Sequence, residues 1–162
     1  MKRLIIYDIP NETLTAKNGD IMFSVNPIVK PCGGCFGCWL KTPGKCVIND
    51  RCTDIPEKLS ECNELVIVTP ITYGGYSAAV KAVIDRSIPY ILPYFRIVNG
   101  EMHHKLRYKN TLKIKAYFYG DCDCEEQETA RMLVKANAVN FGAADTEVYF
   151  YTTADEAKEA ML

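Results

Sequence analysis

Short apolar blocks alternate along this chain with stretches of helical periodicity, and the blocks themselves differ in kind. Lys2–Tyr7 reads as a buried strand and Ile21–Val25 as a weaker one. Leu65–Thr69 is a continuous apolar run, the pattern of a central strand covered on both faces. In Leu112–Tyr119, Leu112, Ile114, Ala116 and Phe118 alternate with Lys113, Lys115, Tyr117 and Tyr119, which is the two-residue period of a strand. Thr146–Tyr151 reads as a last strand.

Between these lie helical signals. Asp54-x-x-Glu57 is a capping box with Pro56 in the first turn, so 54–62 reads as a short helix. Tyr76–Ile84 reads as a helix of small residues that can lie close to a sheet. Asp123-x-x-Glu126 caps a longer helix, with Ala130, Leu133, Val134, Asn137, Ala138 and Phe141 on one face and Gly142 as C-cap. Ala154–Met161 reads as a last short helix. Pro27–Asp50 and Pro89–Asn110 read as long loops.

Five strands alternating with helices predict one α/β domain over residues 1–162, an open parallel sheet covered on both sides. Ligands of such sheets bind beyond the carboxyl ends of the strands, where strand order reverses. The loops to inspect are therefore Asp8–Thr13, Pro70–Ser77 and Gly120–Cys124.

Composition narrows the function classes. With 19 basic and 20 acidic residues in 162, the chain carries a net charge of −1. That gives no electrostatic footprint for nucleic acid or an anionic membrane. No apolar run approaches the ~18–20 residues that span a bilayer, and the start is too short in apolar residues for an export signal. A cytoplasmic protein is expected. Its eight cysteines are then thiols, metal ligands or redox groups rather than a disulfide framework.

In the loop after the third strand, Pro70-Ile71-Thr72-Tyr73-Gly74-Gly75-Tyr76-Ser77, two glycines allow backbone to approach a planar ligand. Tyr73 and Tyr76 can stack on a ring, and peptide N–H groups can donate to the heteroatoms of a flavin. The same residues also suit a plain strand-to-helix turn. Pro70–Arg86, PITYGGYSAAVKAVIDR, resembles the flavin-ring segment of the NADPH-dependent FMN reductase and iron–sulfur flavoprotein family. The family form is a Pro-x-Tyr turn, a small-residue helix, a Lys and then Asp-Arg; Lys81, Asp85 and Arg86 stand at those places. The likeness extends over Pro31–Asp50 and His103-His104-Lys105-Leu106-Arg107-Tyr108. It implies a flavodoxin-like fold, FMN on the 70–77 loop, and NAD(P)H as electron donor.

Cys32-x2-Cys35-x2-Cys38-x7-Cys46 places three thiols at steps of three among Gly33, Gly34 and Gly37, with a fourth further on. A [4Fe–4S] cluster takes four thiolates in this manner, whereas structural zinc more often shows two separated pairs. The spacing also resembles the compact cysteine motif of the iron–sulfur flavoproteins. Unligated thiols in an ordered loop are the alternative. Trp39 reads as the anchor of this loop, Cys52 and Cys62 as structural, and Cys122-x-Cys124 as thiols without an assigned role.

The first loop departs from the family. A phosphate-binding turn rich in Ser, Gly, Arg and Thr is expected there, feeding a helix. Here the chain reads Asp8-Ile9-Pro10-Asn11-Glu12-Thr13. Pro10 keeps the family position and Asn11 and Thr13 can donate, but glycine and arginine are missing and Asp8 and Glu12 add negative charge. Gly120 completes the candidate flavin site from the loop after the fourth strand. Lys17, Lys30 and Lys41 are candidate substitute cations. Only Ile9–Asp20 joins the first two strands, so the usual first helix is shortened or lost. The sheet face it leaves bare implies a homo-oligomer.

His103 and His104 have no ligand partner at useful spacing; one is expected against an aromatic side chain and the other in solvent. Tyr90, Pro93, Tyr94 and Phe95 fit a lid or an interface. The function expected is an FMN-dependent NAD(P)H oxidoreductase or electron-transfer flavoprotein, in which the flavin supplies the chemistry and no side chain is assigned a catalytic role. Its partners are small-molecule or protein electron donors and acceptors. A flavin-less binding or assembly subunit and an iron–sulfur-only redox protein are the alternatives.

Overall fold

The run Glu64–Pro70 forms the middle of a parallel sheet because both of its faces are apolar and six of its seven residues are buried. The computed structural model describes residues 2–16 and 19–162. Five strands make this sheet: β1 (Arg3–Tyr7), β2 (Ile21–Ser24), β3 (Glu64–Pro70), β6 (Leu112–Tyr119) and β7 (Ala143–Tyr151), in the order β2-β1-β3-β6-β7. All neighbours are parallel. Strand order reverses between β1 and β3, which is the switch point of a flavodoxin-like sheet.

One face carries the larger core. Leu4, Ile6, Leu65, Ile67, Ile114 and Phe118 pack there beneath the helices α2 (Ile55–Ser60), α3 (Ala78–Asp85) and α4 (Cys124–Phe141). Burying each such aliphatic side chain contributes roughly 1.5–3 kcal/mol. The predicted capping box of α4 is present in both directions, and Gly142 closes the helix with φ 66°. In α2, by contrast, the Asp54 side chain makes no capping bond. It pairs instead with Lys45 at 3.6 Å.

No helix is seen between β1 and β2 among the described residues. The face this leaves is nonetheless covered within the chain, which corrects the premise of the expected homo-oligomer. Helix α5 (Ala154–Met161) lays Ala157 and Met161 against Ile5, Tyr7, Val66 and Val68, and Ile9 and Leu14 of the β1–β2 connection complete the layer. Lys158 of α5 pairs with Glu12 at 2.7 Å, and Arg3 donates to the carbonyl of Met161 at 3.1 Å.

Two segments expected to be loops contain regular structure. Within 27–50 a single turn of helix, α1 (Gly37–Leu40), carries Cys38 and Trp39. Within 89–110, β4 (Ile91–Val98) and β5 (Glu101–Leu106) form a separate antiparallel hairpin. Its turn is Asn99-Gly100, with φ of 51° and 85°, the two left-handed residues of a type I′ turn.

Candidate functional site

The loop after β3 is a second tight hairpin turn. Thr72 and Gly75 exchange both backbone hydrogen bonds, at 3.0 and 2.9 Å. Tyr73 and Gly74 stand between them with φ of 50° and 70°. The turn holds Tyr73 out into solvent, 94% exposed. Pro70 ends β3, and Ile71 N–H donates to the carbonyl of Tyr119 at 2.8 Å. Gly74 has a packing reason to be glycine: a Cβ there would lie 2.8 Å from Thr129 Cβ on α4. Gly75 is less confined, with a Cβ no nearer than 3.5 Å to its neighbours. Tyr76 turns inward and stacks on Phe118, ring centroids 5.6 Å apart and planes within 3°. Its phenol is pushed up by burial, and among the described residues its hydroxyl lacks a hydrogen-bond partner. Among the described residues the peptide N–H groups of Tyr73, Gly74 and Tyr76 also lack partners within the chain. Free donors on a projecting turn suit the heteroatoms of a flavin ring.

Ser77 joins this loop to the first one. Its Oγ accepts from the amide of Val80 at 3.2 Å, capping α3, and donates to Asp8 Oδ2 at 2.6 Å. The hydroxyl of Tyr119 donates to the carbonyl of Asp8, also at 2.6 Å. The ends of β1, β3 and β6 are thus tied together at the switch point. Gly120 follows directly, with φ 106° and Ile71 Cγ2 3.8 Å from the place of a Cβ.

The first loop encloses an open hollow of about 690 Å³, lined by Asp8, Pro10, Asn11, Glu12 and Thr13 with Ser24 and Asn26 of the neighbouring strand end. Pro10, Asn11 and Thr13 are therefore brought together, but in a different hollow from Thr72, Gly75 and Tyr76. Among the described residues that line it there is no lysine or arginine. Glu12 is answered by Lys158; Asp8 is not answered by any cation in the described structure. Lys30 and Lys41 belong to the cysteine segment and do not line the hollow, and Lys17 lies outside the described residues. This lining is a poor fit for a phosphate dianion.

The cysteine segment closes on itself. Cys32, Cys35, Cys38 and Cys46 all line one shallow cavity of about 30 Å³, walled by Val47, Ile48, Ile88, Pro89 and Arg86. The Cys38 thiol is pushed up by burial, and the neighbouring thiols of Cys46, Cys32 and Cys35 add to the shift. Gly37 permits the closure: a Cβ there would fall 2.5 Å from Val47 Cγ1 and 3.5 Å from Cys35 Sγ. Gly33 and Gly34 have open space around them, and the rim that bears Cys32 and Cys35 is exposed. Among the described residues no three His, Cys, Asp or Glu side chains converge as for a single metal ion. The four cysteines line one cavity, and four thiols are the donor set that an iron–sulfur cluster takes.

Trp39 anchors the segment as expected, donating from Nε1 to the carbonyl of Ile91 at 3.0 Å. His104 sits between Trp39 and Phe95, 4.9 Å from each ring, with Nδ1 2.7 Å from the carbonyl of Leu92. His103, expected in solvent, is instead largely covered and lies 3.1 Å from Asn140 Oδ1. Tyr90 is core, 1% exposed, whereas Tyr94 and Phe95 are exposed on β4. Cys52 and Cys62 are fully buried, and burial pushes both thiols up to about 11.

Sequence reasoning passes over the groove between α3 and α4. It runs from Thr72 and Gly75 past Lys81, Ile84 and Asn137. It continues along Ile84, Asp85 and Asn137 to Cys32 and His104. Two adjoining hollows that share Ile84, Asp85 and Asn137 thus lie between the turn after β3 and the cysteine segment. Sequence reasoning also misses the Asp50–Arg86 pair, whose two residues lie 36 positions apart.

Comparison with known proteins places these features in a family. Residues 16–116 match the model of the NADPH-dependent FMN reductase family. An iron–sulfur flavoprotein of Methanocaldococcus jannaschii is 39% identical over 61 residues, which cover 38% of this chain and 31% of that protein. One from Methanosarcina thermophila is 35% identical over 69 residues, covering 43% and 35%. The matched part is about a third of the length of these curated relatives. Among solved structures, an FMN-dependent NADH-azoreductase from Bacillus anthracis, in complex with FMN, superimposes with a TM-score of 0.58 at 16% identity, covering 99% of this chain and 93% of that one. An NAD(P)H:quinone oxidoreductase from Methanothermobacter marburgensis gives 0.60 at 11% identity, covering 99% and 96%. At such identities these two establish the shared flavodoxin-like fold. The family match spans more than half of the chain, and the protein belongs to the NADPH-dependent FMN reductase family.

Proposed function

We propose that this chain is an electron-transfer flavoprotein whose cysteine segment holds a [4Fe–4S] cluster. The observation that carries the reading is that Cys32, Cys35, Cys38 and Cys46 line one cavity in a member of the FMN reductase family. The names of its relatives in Methanocaldococcus and Methanosarcina support it. FMN, when bound, supplies hydride and single-electron chemistry; the protein supplies position and electrostatics. The turn Thr72–Gly75 offers free peptide donors for the ring, and Gly120 borders it through Ile71. NAD(P)H or a redox partner is the electron source, and a small molecule or a protein the acceptor.

Anaerobic purification with metal, sulfide and flavin analysis tests the reading. A two-banded flavin spectrum with about four iron and four sulfide per chain is expected for a [4Fe–4S] flavoprotein. Flavin without iron leaves a simple flavoprotein, and iron without flavin leaves a cluster-only carrier.

A second reading, a flavin-less subunit, is favoured by one observation: the first-loop hollow presents Asp8 and Glu12 and, among its described lining, no cation. Titration with FMN and riboflavin decides it. Failure of both to bind supports the flavin-less subunit, whereas riboflavin binding alone assigns the ring site and rejects the phosphate site.

A further inference from the structure

Arg86 is the bulkiest of the fully buried side chains, with 1% of its surface exposed. A guanidinium has five N–H donors in a rigid fork. In Arg86 both terminal nitrogens are engaged. Nη1 donates to the carbonyl of Lys30 and to Asp50 Oδ2, each at 2.9 Å. Nη2 donates to the carbonyl of Ile48 at 3.1 Å and to Asp50 Oδ1 at 2.8 Å. Among the described residues the Nε–H alone is buried without a partner.

A buried charged donor left unmade is costly, and its presence asks for an acceptor. Arg86 forms part of the wall of the cavity that the four cysteines line. Lys30 and Ile48, whose carbonyls hold it, stand just outside the two ends of the cysteine motif. The side chain is thus gripped by the segment that carries Cys32–Cys46, and Arg86, with its Nε–H unpaired among the described residues, stands in the wall of the shared cavity. Cys52 is a neighbouring sulfur, but burial keeps its thiol protonated, pushed up to about 11. It offers only a weak acceptor.

We propose that Arg86 is a positioning residue for the cluster: its Nε–H donates to a sulfur of a [4Fe–4S] centre held by Cys32, Cys35, Cys38 and Cys46, and so raises that centre's reduction potential. The proposal rests on the cluster reading above. The physical reason is the hydrogen bond to sulfur, strengthened by the charge of its donor. Each electron added makes the centre more negative, so a fixed cationic donor favours the reduced state over the oxidised one. Asp50 and the two carbonyls hold the fork, so the donor is in place before the electron arrives. Lysine keeps the charge but cannot reproduce this fork.

The test uses the whole chain, reconstituted anaerobically with iron and sulfide. The first sample is wild-type protein labelled with 15N at arginine Nε, reduced and read by pulsed EPR. A 15N coupling to the cluster spin is expected; a loaded, reduced cluster without it overturns the assignment of Arg86. The second sample is Arg86→Lys, read by potentiometric titration. It should hold its iron and shift to lower potential, by at least about tenfold in the one-electron equilibrium, or 59 mV. A smaller shift in a loaded variant also overturns the proposal. Should Arg86→Lys fail to fold, the labelled wild type decides alone. Wild-type protein that takes up no iron and sulfide rejects the cluster reading itself, and the proposal with it. That outcome is distinguishable from a loaded cluster that ignores Arg86.

Discussion

Ser77 and Asp8, 69 residues apart in the chain, meet at 2.6 Å where strand order reverses. The hydroxyl that caps α3 is thereby also the partner of the carboxylate that ends β1. In a sheet of this type that crevice is where a ligand's charged tail is expected, and here it carries a negative group. Replacing Asp8 with Asn keeps an acceptor for Ser77 and removes the charge. FMN affinity should rise about three- to tenfold, the scale of a single charge near a protein surface, while riboflavin, which has no phosphate, should bind unchanged. Parallel fluorescence titrations check this; an equal gain for both ligands would place the phosphate elsewhere.

The two glycines of the turn after β3 should separate in their effects. Gly74→Ala demands both a left-handed backbone and room that Thr129 occupies. It should destabilise the fold by about 1–3 kcal/mol. Gly75→Ala meets only ordinary contacts and should cost under about 1 kcal/mol. Denaturant unfolding of the flavin-free proteins measures both, and equal losses would contradict the packing described for α4.

Asp50 gives a pH signature. The Arg86 guanidinium hydrogen-bonded to it holds its carboxyl below the ordinary 3.8. A carboxyl with a depressed folded value stabilises the native state fully above the unfolded value, and that contribution disappears as pH falls through the folded one. Wild-type protein should therefore lose stability from about pH 4 downward, more steeply than Asp50→Asn. Near neutral pH the same substitution should cost about 2–4 kcal/mol, because it leaves the buried Arg86 uncompensated. Unfolding curves between pH 3 and 7 for both proteins check the slope and the offset.

Thiol reactivity should sort by burial. In cluster-free protein near pH 8, exposed Cys32, Cys35 and Cys124 should alkylate readily. Cys52 and Cys62, at about 11, hold roughly one thiolate in a thousand and have no surface contact. Mass spectrometry of timed iodoacetamide reactions reads the order. Early modification of Cys52 or Cys62 would mean that the core around α2 opens.

The parts of the fold that periodicity dictates were legible in the chain. The continuous apolar run of β3 and the capping box of α4 stand where the sequence places them, because local chemistry and tertiary setting agree there. The hairpin β4–β5 was not read, although Asn99-Gly100 is the residue pair that its turn demands. Its strands lie outside the main sheet and are only partly covered, so Tyr94, Phe95, Ile97 and Met102 stay exposed and no in–out alternation marks them. Gly74 illustrates a subtler limit. Its residue type was read as access for a ligand, whereas the structure gives it a neighbour on α4, a contact between segments more than 50 residues apart that no local pattern encodes.

The placement of α5 has a consequence for how the molecule can respond. The last helix occupies the ground that a first crossover helix would hold, and Lys158 grips Glu12 inside the very loop that borders the empty-handed end of β1. Whatever settles in that hollow meets a loop that α5 holds through Lys158. Motion of α5, followed by a label on an exposed residue such as Glu159, would then report arrivals at the opposite terminus of the sequence.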